Sequence, residues 1–466
     1  MRRLLTAMLA FSISGFASPA FAGEWELVFQ NPGGAIISME TPDETHLFAF
    51  GTKPDPADPQ NALPAGYKTT GVDTYGEFAL PATGDMFFPS STQCTAPDRC
   101  YMLAMDFSSD MSQMSYPFML TTNGGDSWTK FTDPYYKRPM APSTIAAFGN
   151  KLAMFFGTDT LCLMSYDGGT KAKSWFVPKV GDVSYMSIVA GSILDGNNAW
   201  LANGKITESQ DGKTRTIDPV GAILKTSDLQ TQDGTRPDGA PKPAMTWEEK
   251  TSGQAWFPRK LQFVTETVGY MITETADGYQ LRKTTDGGSN WTEIVFPQVG
   301  ELGPVQWVND FWAFDEDDLI VVAATPNGEE DSWGVIYRIA AGGSPVAMLP
   351  DPTEHADAMY AVRCPTRNLC FAAGDNADII RFVDDTPIEP EVDEDIGSVD
   401  VIDRDLTGES DEGGVVLTDA IQGQDLAAWQ PDDSGCSAGS SAKSGWLVLF
   451  LLVSGCALAF GIRRVR

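Results

Sequence analysis

Thr284-Thr285-Asp286-Gly287-Gly288-Ser289-Asn290-Trp291 decides the fold, because imperfect copies of it punctuate the chain from beginning to end. The stretch reads as a turn with its own chemistry. Asp286 can accept hydrogen bonds from N–H groups of its own loop, and the glycine pair supplies the positive-φ positions that a tight hairpin needs. Trp291 brings a large apolar face to bury.

The copies follow in order and vary in quality. Thr121 to Trp128 keeps Thr121, Gly125 and Trp128 and has Asn123 at the aspartate position, where an amide makes similar loop hydrogen bonds without the charge. Ser165-Tyr166-Asp167-Gly168-Gly169 is intact, with Trp175 arriving late. Lys225-Thr226-Ser227-Asp228 echoes Lys283 to Asp286, then runs into a Pro/Gly-rich insertion, 229–245, before Trp247. Fainter echoes are Lys68 to Gly71, Arg338 to Gly343 and Arg381 to Asp384. The pattern Ser/Thr-x-Asp-x-Gly-x-x-Trp, met by Thr284, Asp286, Gly288 and Trp291, resembles the Asp-box or BNR repeat of sialidase-like β-propellers. That resemblance implies an all-β propeller whose Asp-box hairpins, Thr121, Asn123, Gly125, Trp128, Ser165, Asp167 and Gly169 included, are structural and lie at the outer rim, away from the central pocket.

Apolar runs precede these turns at a spacing of roughly 50 residues, a period that marks a propeller or solenoid. They are Leu47 to Phe50, Tyr101 to Met105, Leu152 to Phe156, Ala199 to Ala202, Gly269 to Ile272, Leu319 to Ala323 and Leu369 to Ala373. The seventh unit breaks off at Asp385 with no final strand, and Glu24-Trp25-Glu26-Leu27-Val28-Phe29 has the composition to supply it. Seven four-stranded blades over 23–385, closed by an N-terminal strand, are the expectation, with six or eight as alternatives. Residues 52–66 and 229–245 should be surface excursions.

The chain's ends carry targeting signals. Arg2-Arg3, an apolar run from Leu4 to Phe16 and Ala20-Phe21-Ala22 read as a signal peptide over 1–22. Export makes Cys94-x5-Cys100 and Cys364-x5-Cys370 disulfide candidates, each stapling a hairpin. A metal would need convergent ligands, which His46 and His355 lack in sequence; Cys162 reads as a buried thiol. Residues 386–433 are acidic with Arg404 as their base, which reads as a self-repelling stalk. Asp393, Glu394, Asp395, Asp400, Asp403 and Asp405 are a weak Ca2+ candidate without an EF-hand loop, and no cofactor is expected. Cys436, a small-residue spacer, an apolar helix over 446–462 and Arg463-Arg464-Val465-Arg466 resemble the MYXO-CTERM class of sorting segments. This implies a sorting protease, processing and lipid modification at Cys436, and an outer-surface membrane anchor; a permanent single-pass helix is the plain alternative.

The net charge of −31 sits on the body and the stalk, which disfavours nucleic acid as a partner. No G-x-S-x-G, H-E-x-x-H or Walker loop appears. The sialidase [Phe/Tyr]-Arg-Ile-Pro motif is absent, and Phe257-Pro258-Arg259-Lys260 is a scrambled string in mid-chain. Asp315-Glu316-Asp317-Asp318 reads as a solvated loop ahead of a strand. Binding candidates are aromatic: Tyr135 and Tyr136 beside Arg138, and Trp307 with Trp312 flanking Asn309-Asp310. The expected role is a non-catalytic surface module for a protein or glycan ligand. A surface glycosidase using central carboxylates, and an assembly chaperone resembling the Asp-box factors of photosystem assembly, are the alternatives.

Overall fold

A computed structural model of the chain describes residues 23–384 apart from short stretches, the longest being 131–140 and 349–356. The signal-peptide, stalk, Ca2+, Cys436 and anchor expectations, together with Tyr135, Tyr136, Arg138 and His355, lie outside the described residues. Among the described residues no helix is long and apolar enough to cross a membrane.

The architecture is an all-β propeller. Its seven innermost strands are Ala35–Glu40, Met86–Ala96, Ala141–Phe148, Ile188–Ile193, Phe257–Phe263, Trp307–Ala313 and Met359–Thr366. Each opens an antiparallel sheet, and each sequence-detected apolar run falls in the second strand of one sheet. Ala35–Glu40 touches both Met86–Ala96 and Met359–Thr366, so the set closes on itself.

Two expectations need comment. Among the described residues six of the seven blade sheets have four strands, and the sheet of Met86–Ala96 adds a fifth beside its four-strand path. Its extra member, Met114–Ser115, pairs with Arg99–Phe107, which is long enough to take a second partner on its free portion. A two-residue strand has no alternation to read, so nothing in sequence announced it. Closure by the N-terminal strand does occur. Glu24–Phe29 pairs antiparallel with Ile379–Val383, Trp25 meets the Phe382 ring at 5.6 Å, and Arg381 grips Glu26. An edge that would otherwise present unpaired N–H and C=O groups is thereby covered.

The hairpin of Thr284 to Trp291 is held by two acceptors with different duties. Thr284 Oγ1 takes the buried N–H of Gly288 at 3.0 Å and donates to Asp286 Oδ1 at 2.9 Å. Asp286 is exposed and accepts from the N–H groups of Ser289 and Asn290, both at 2.9 Å. Gly287 and Gly288 have φ of 72° and 100°, a region that L side chains avoid. Thr121 and Ser165 repeat the buried bond, to Gly125 N at 2.9 Å and Gly169 N at 2.7 Å. In the split copy, Asp228 reaches across the insertion to Thr246 N at 2.9 Å and Thr246 Oγ1 at 2.9 Å, so the excursion is spliced in with the clasp intact.

Because the hydroxyl serves a buried donor and the carboxylate serves exposed ones, Thr284→Val should cost about 1–3 kcal/mol. Asp286→Ala should fall at or below the lower end of that range, since water can replace the carboxylate. Urea unfolding of the two variants checks the order.

On the same side of the sheets, loops between first and second strands form another repeat. Asp43 Oδ1 accepts from Thr45 N and His46 N, Asp195 Oδ1 from Asn197 N and Asn198 N, and Asp315 Oδ1 from Asp317 N and Asp318 N. The acidic cluster at 315–318 is thus a capped turn. Its Asp318 forms a bidentate pair with Arg338 at 3.0 and 2.9 Å, tying strand to loop.

Both expected disulfides are present, Cys94–Cys100 and Cys364–Cys370, each joining the first two strands of a sheet. Cys162 is a buried free thiol whose pKa burial pushes far up, which makes it unreactive.

Candidate functional site: the central channel

The innermost strands share a device. Each has a register shift against its neighbour, at Ile36/Ser38, Pro89/Ser91, Pro142/Thr144, Ile188/Ala190, Pro258/Lys260, Val308/Asp310 and Met359/Ala361. A bulge inserts one residue and re-aims the side chains around it. Repeated around the axis, it builds a collar in which Ile37, Ser90, Arg259, Asn309 and Tyr360 line a central cavity of about 530 Å³.

An innermost strand also leaves backbone groups facing the next sheet, and those groups need partners. Side chains from the adjacent inner strand provide them. Gln93 accepts from Ala147 N at 2.7 Å and donates to Ala147 O at 3.2 Å, and Gln262 does the same for Ala313 at 3.2 and 2.8 Å. Ser91 Oγ accepts from Ile145 N at 3.2 Å, Ser192 Oγ from Phe263 N at 2.9 Å, and Asn309 Nδ2 donates to Met359 O at 2.7 Å. The wall is therefore knitted from sheet to sheet by neutral side chains.

One sector of the wall is ionic. Arg363 binds Glu40 through Nη2 at 2.9 Å and Asp310 through Nη1 at 2.6 Å, and its guanidinium lies 5.6 Å from the Trp312 ring. Lys260 donates to Asp310 and to the carbonyl of Phe311. Asp310 also accepts from Val362 N at 3.0 Å, and Glu40 from Cys94 N at 3.4 Å. Five sheets are pinned at this point.

Burial sets the protonation tendencies. It pushes Glu40 up against the opposing pull of Arg363. Burial would raise Asp310 as well, but Lys260 and Arg363 together bring it below the usual carboxylate value. Lys260 is lowered to about 8 by burial and by the Arg363 charge, with Asp310 opposing. Arg363 stays protonated because Glu40 and Asp310 outweigh its own desolvation.

Of the sequence-predicted binding residues, Trp312 lines the channel. Trp307 opens the same strand, half-buried, and does not line it. Trp128 and Trp291 pack between sheets against Phe50 and Phe263. The string Phe257-Pro258-Arg259-Lys260, set aside in the sequence as scrambled, places Arg259 and Lys260 in the channel wall. Arg259 pairs with Glu274, which also takes Arg215, and its guanidinium lies 5.4 Å from the Tyr279 ring. Glu40, Gln93, Gln262 and Arg363 drew no attention in sequence; the available signal was polar residues recurring on the strand ahead of each apolar run.

Among the described residues no group of three or more His, Cys, Asp or Glu side chains is arranged to hold a metal ion.

No protein-family model matches the chain, and no curated protein matches it. Solved structures do. A GH74 xyloglucanase from Xanthomonas campestris is similar with a TM-score of 0.50 and 12% identity, over 76% of this chain and 53% of the xyloglucanase. A YCF48 bound to a D1 peptide gives 0.48 and 15% identity over 77% of this chain and 96% of that one, and the YCF48 from Cyanidioschyzon merolae gives 0.46 and 14% over 77% and 98%. At 12% identity the likeness to the xyloglucanase is one of fold alone.

Proposed function

We propose that the chain is an exported, membrane-held β-propeller that binds a protein or glycan ligand at its central channel without acting on it. The observation that carries this reading is the state of the channel's carboxylates: Glu40 and Asp310 are both committed to Arg363, and Asp310 to Lys260 and Val362 N as well. Groups so occupied hold a wall in shape, and each would have to give up an ionic partner before it could activate water or protonate a leaving group. The remaining lining includes hydroxyls, amides and the aromatic faces of Trp312, Tyr279 and Tyr360, which suit recognition of a polar ligand. Export and anchoring rest on the sequence: a signal peptide over 1–22, the Asp-box propeller over 23–385, an acidic stalk over 386–433, and a sorting segment over 434–466 with Cys436 as the modified residue and 446–462 as the helix.

The full-length chain in detergent, screened on a glycan array and against extracts of surface proteins, should retain a ligand while releasing no chromophore from aryl glycosides. Ser90→Trp, which places a large ring at the collar from an exposed position, should weaken that binding at least about tenfold, or about 1.4 kcal/mol, with little change in unfolding midpoint. Binding that survives the block would put the ligand elsewhere.

One observation favours a hydrolase as the second reading. Glu40 is pushed toward the protonated form and Asp310 toward the ionised form in one channel, the division of labour that acid and base carboxylates need. Chromophore release by the wild type, lost in Glu40→Gln, would put this reading first.

A further inference from the structure

We propose that Asp375 is a proton-linked positioning residue, whose carboxylate holds the channel residue Tyr360 by its hydroxyl at the turn that receives the N-terminal segment. The inference does not depend on what the channel binds.

Asp375 sits where Leu369–Gly374 turns into Ile379–Val383. The two residues around the bend, Asn376 and Ala377, have φ of 56° and 48°, a left-handed pair without glycine. Such a turn persists only when its surroundings fix it. Asp375 N donates to Ala358 O at 3.0 Å, Asp378 N to Asp375 O at 3.0 Å, and Asp375 forms an isolated bridge with Ala35 at the start of the first inner strand. Asn376 O accepts from Asn31 N at 2.9 Å, and Asn376 Oδ1 from Gly33 N at 3.2 Å. The chain's first segment is therefore seated on this turn.

Tyr360 stands at the bulge of the last inner strand and lines the channel, and its hydroxyl donates to Asp375 Oδ1 at 3.0 Å. Among the described residues the groups facing Asp375 are Tyr360 from that strand, Asp357 from the segment leading into it, and Asp378 from the turn itself; the segment at 31–35 contributes backbone, and the Asn31 side-chain amide is turned to the Tyr67 hydroxyl. Among the described residues these titratable neighbours are acidic or phenolic. Asp357 is steadied by the amide of Asn376.

Burial, reinforced by the Asp357 and Asp378 charges and opposed by the Tyr360 hydroxyl, raises Asp375 to about 6 from its ordinary 3.8. The native state therefore binds more protons than the unfolded chain across that window. Stability is full below the ordinary value and falls as pH rises through about 6. Protonated, the carboxyl shares a neutral hydrogen bond with Tyr360. Ionised, it is a buried anion beside two others, held by one phenol, and the cost falls on the turn and on the channel wall together.

The test is urea unfolding of the full-length chain between pH 4 and pH 8, for wild type, Asp375→Asn, Tyr360→Phe and Asp357→Asn. Subtracting the Asp375→Asn curve from the wild-type curve should leave one step that falls toward high pH and ends near pH 6. Tyr360→Phe removes the donor that favours the anion and should move that step to higher pH. Asp357→Asn removes a repelling charge and should move it to lower pH, an opposite displacement that a merely structural role would not produce. If Asp375→Asn does not fold, the two displacements are read from the curves of the other three proteins. Identical pH curves for wild type and Asp375→Asn, or a step that neither neighbour moves, would overturn the proposal.

Discussion

Arg363→Ala is expected to be among the most damaging single changes in the propeller, at about 3–5 kcal/mol, because it removes a cation shared by two buried carboxylates and strands one of them, Glu40. Asp310 would keep Lys260 and two backbone donors, the N–H groups of Val362 and Phe311. Glu40 would keep the N–H of Cys94, with Lys260 as a more distant cation. Since burial already pushes Glu40 upward, it would answer by taking a proton. The loss should therefore be larger at pH 8 than at pH 5, and the double variant Arg363→Met with Glu40→Gln should recover a measurable part of it. Urea unfolding at the two pH values measures both effects, and a double-mutant cycle isolates the coupling. Equal losses at both pH values would mean that Glu40 is not the stranded group.

Trp200→Ala is expected to cost about 3–5 kcal/mol for a different reason, loss of packing at a seam. Trp200 has no exposed surface, its ring stacks on Phe263 with centroids 4.0 Å apart, and Lys225 lies 4.9 Å from its centre. Its Nε1 donates to Gly287 O at 3.1 Å. One side chain thus joins the fourth sheet to the hairpin clasp of the fifth. Trp200→Phe keeps most of the ring contact and loses the hydrogen bond, so it should cost about 1–2 kcal/mol. Thermal unfolding of the two variants separates packing from hydrogen bonding, and equal losses would assign the seam to the hydrogen bond alone.

What could be read in the sequence was what is local. Thr284, Asp286, Gly288 and Trp291 lie within one turn, and their spacing encodes the bonds they make. The apolar runs were legible because a strand buried on both faces needs no alternation, and the cysteine pairs because the partners of each are only six positions apart. The channel was not legible, because its bonds join residues a whole sheet apart: Gln93 to Ala147, Gln262 to Ala313, Asp310 to Val362. The pair of Glu40 with Arg363 spans 323 positions. Residue type carried little warning either, since a glutamine that satisfies a backbone and one that faces water look alike in a string. Of the two tryptophans flanking Asn309-Asp310, Trp312 lines the cavity and Trp307 does not, and Arg259 of the scrambled string lines it too.

The seam made by Glu24–Phe29 and Ile379–Val383 bears on the order of events in folding. Glu26 and Arg381 are 355 positions apart, so closing that loop costs about 5 kcal/mol of chain entropy, beyond a constant, before any contact repays it. Pairings so remote form late, after the sheets with local hairpins are in place. Glu24–Phe29 is thus made long before its partner strand and is among the last to pair. Until Ile379–Val383 has been made, Glu24–Phe29 has no strand to pair with.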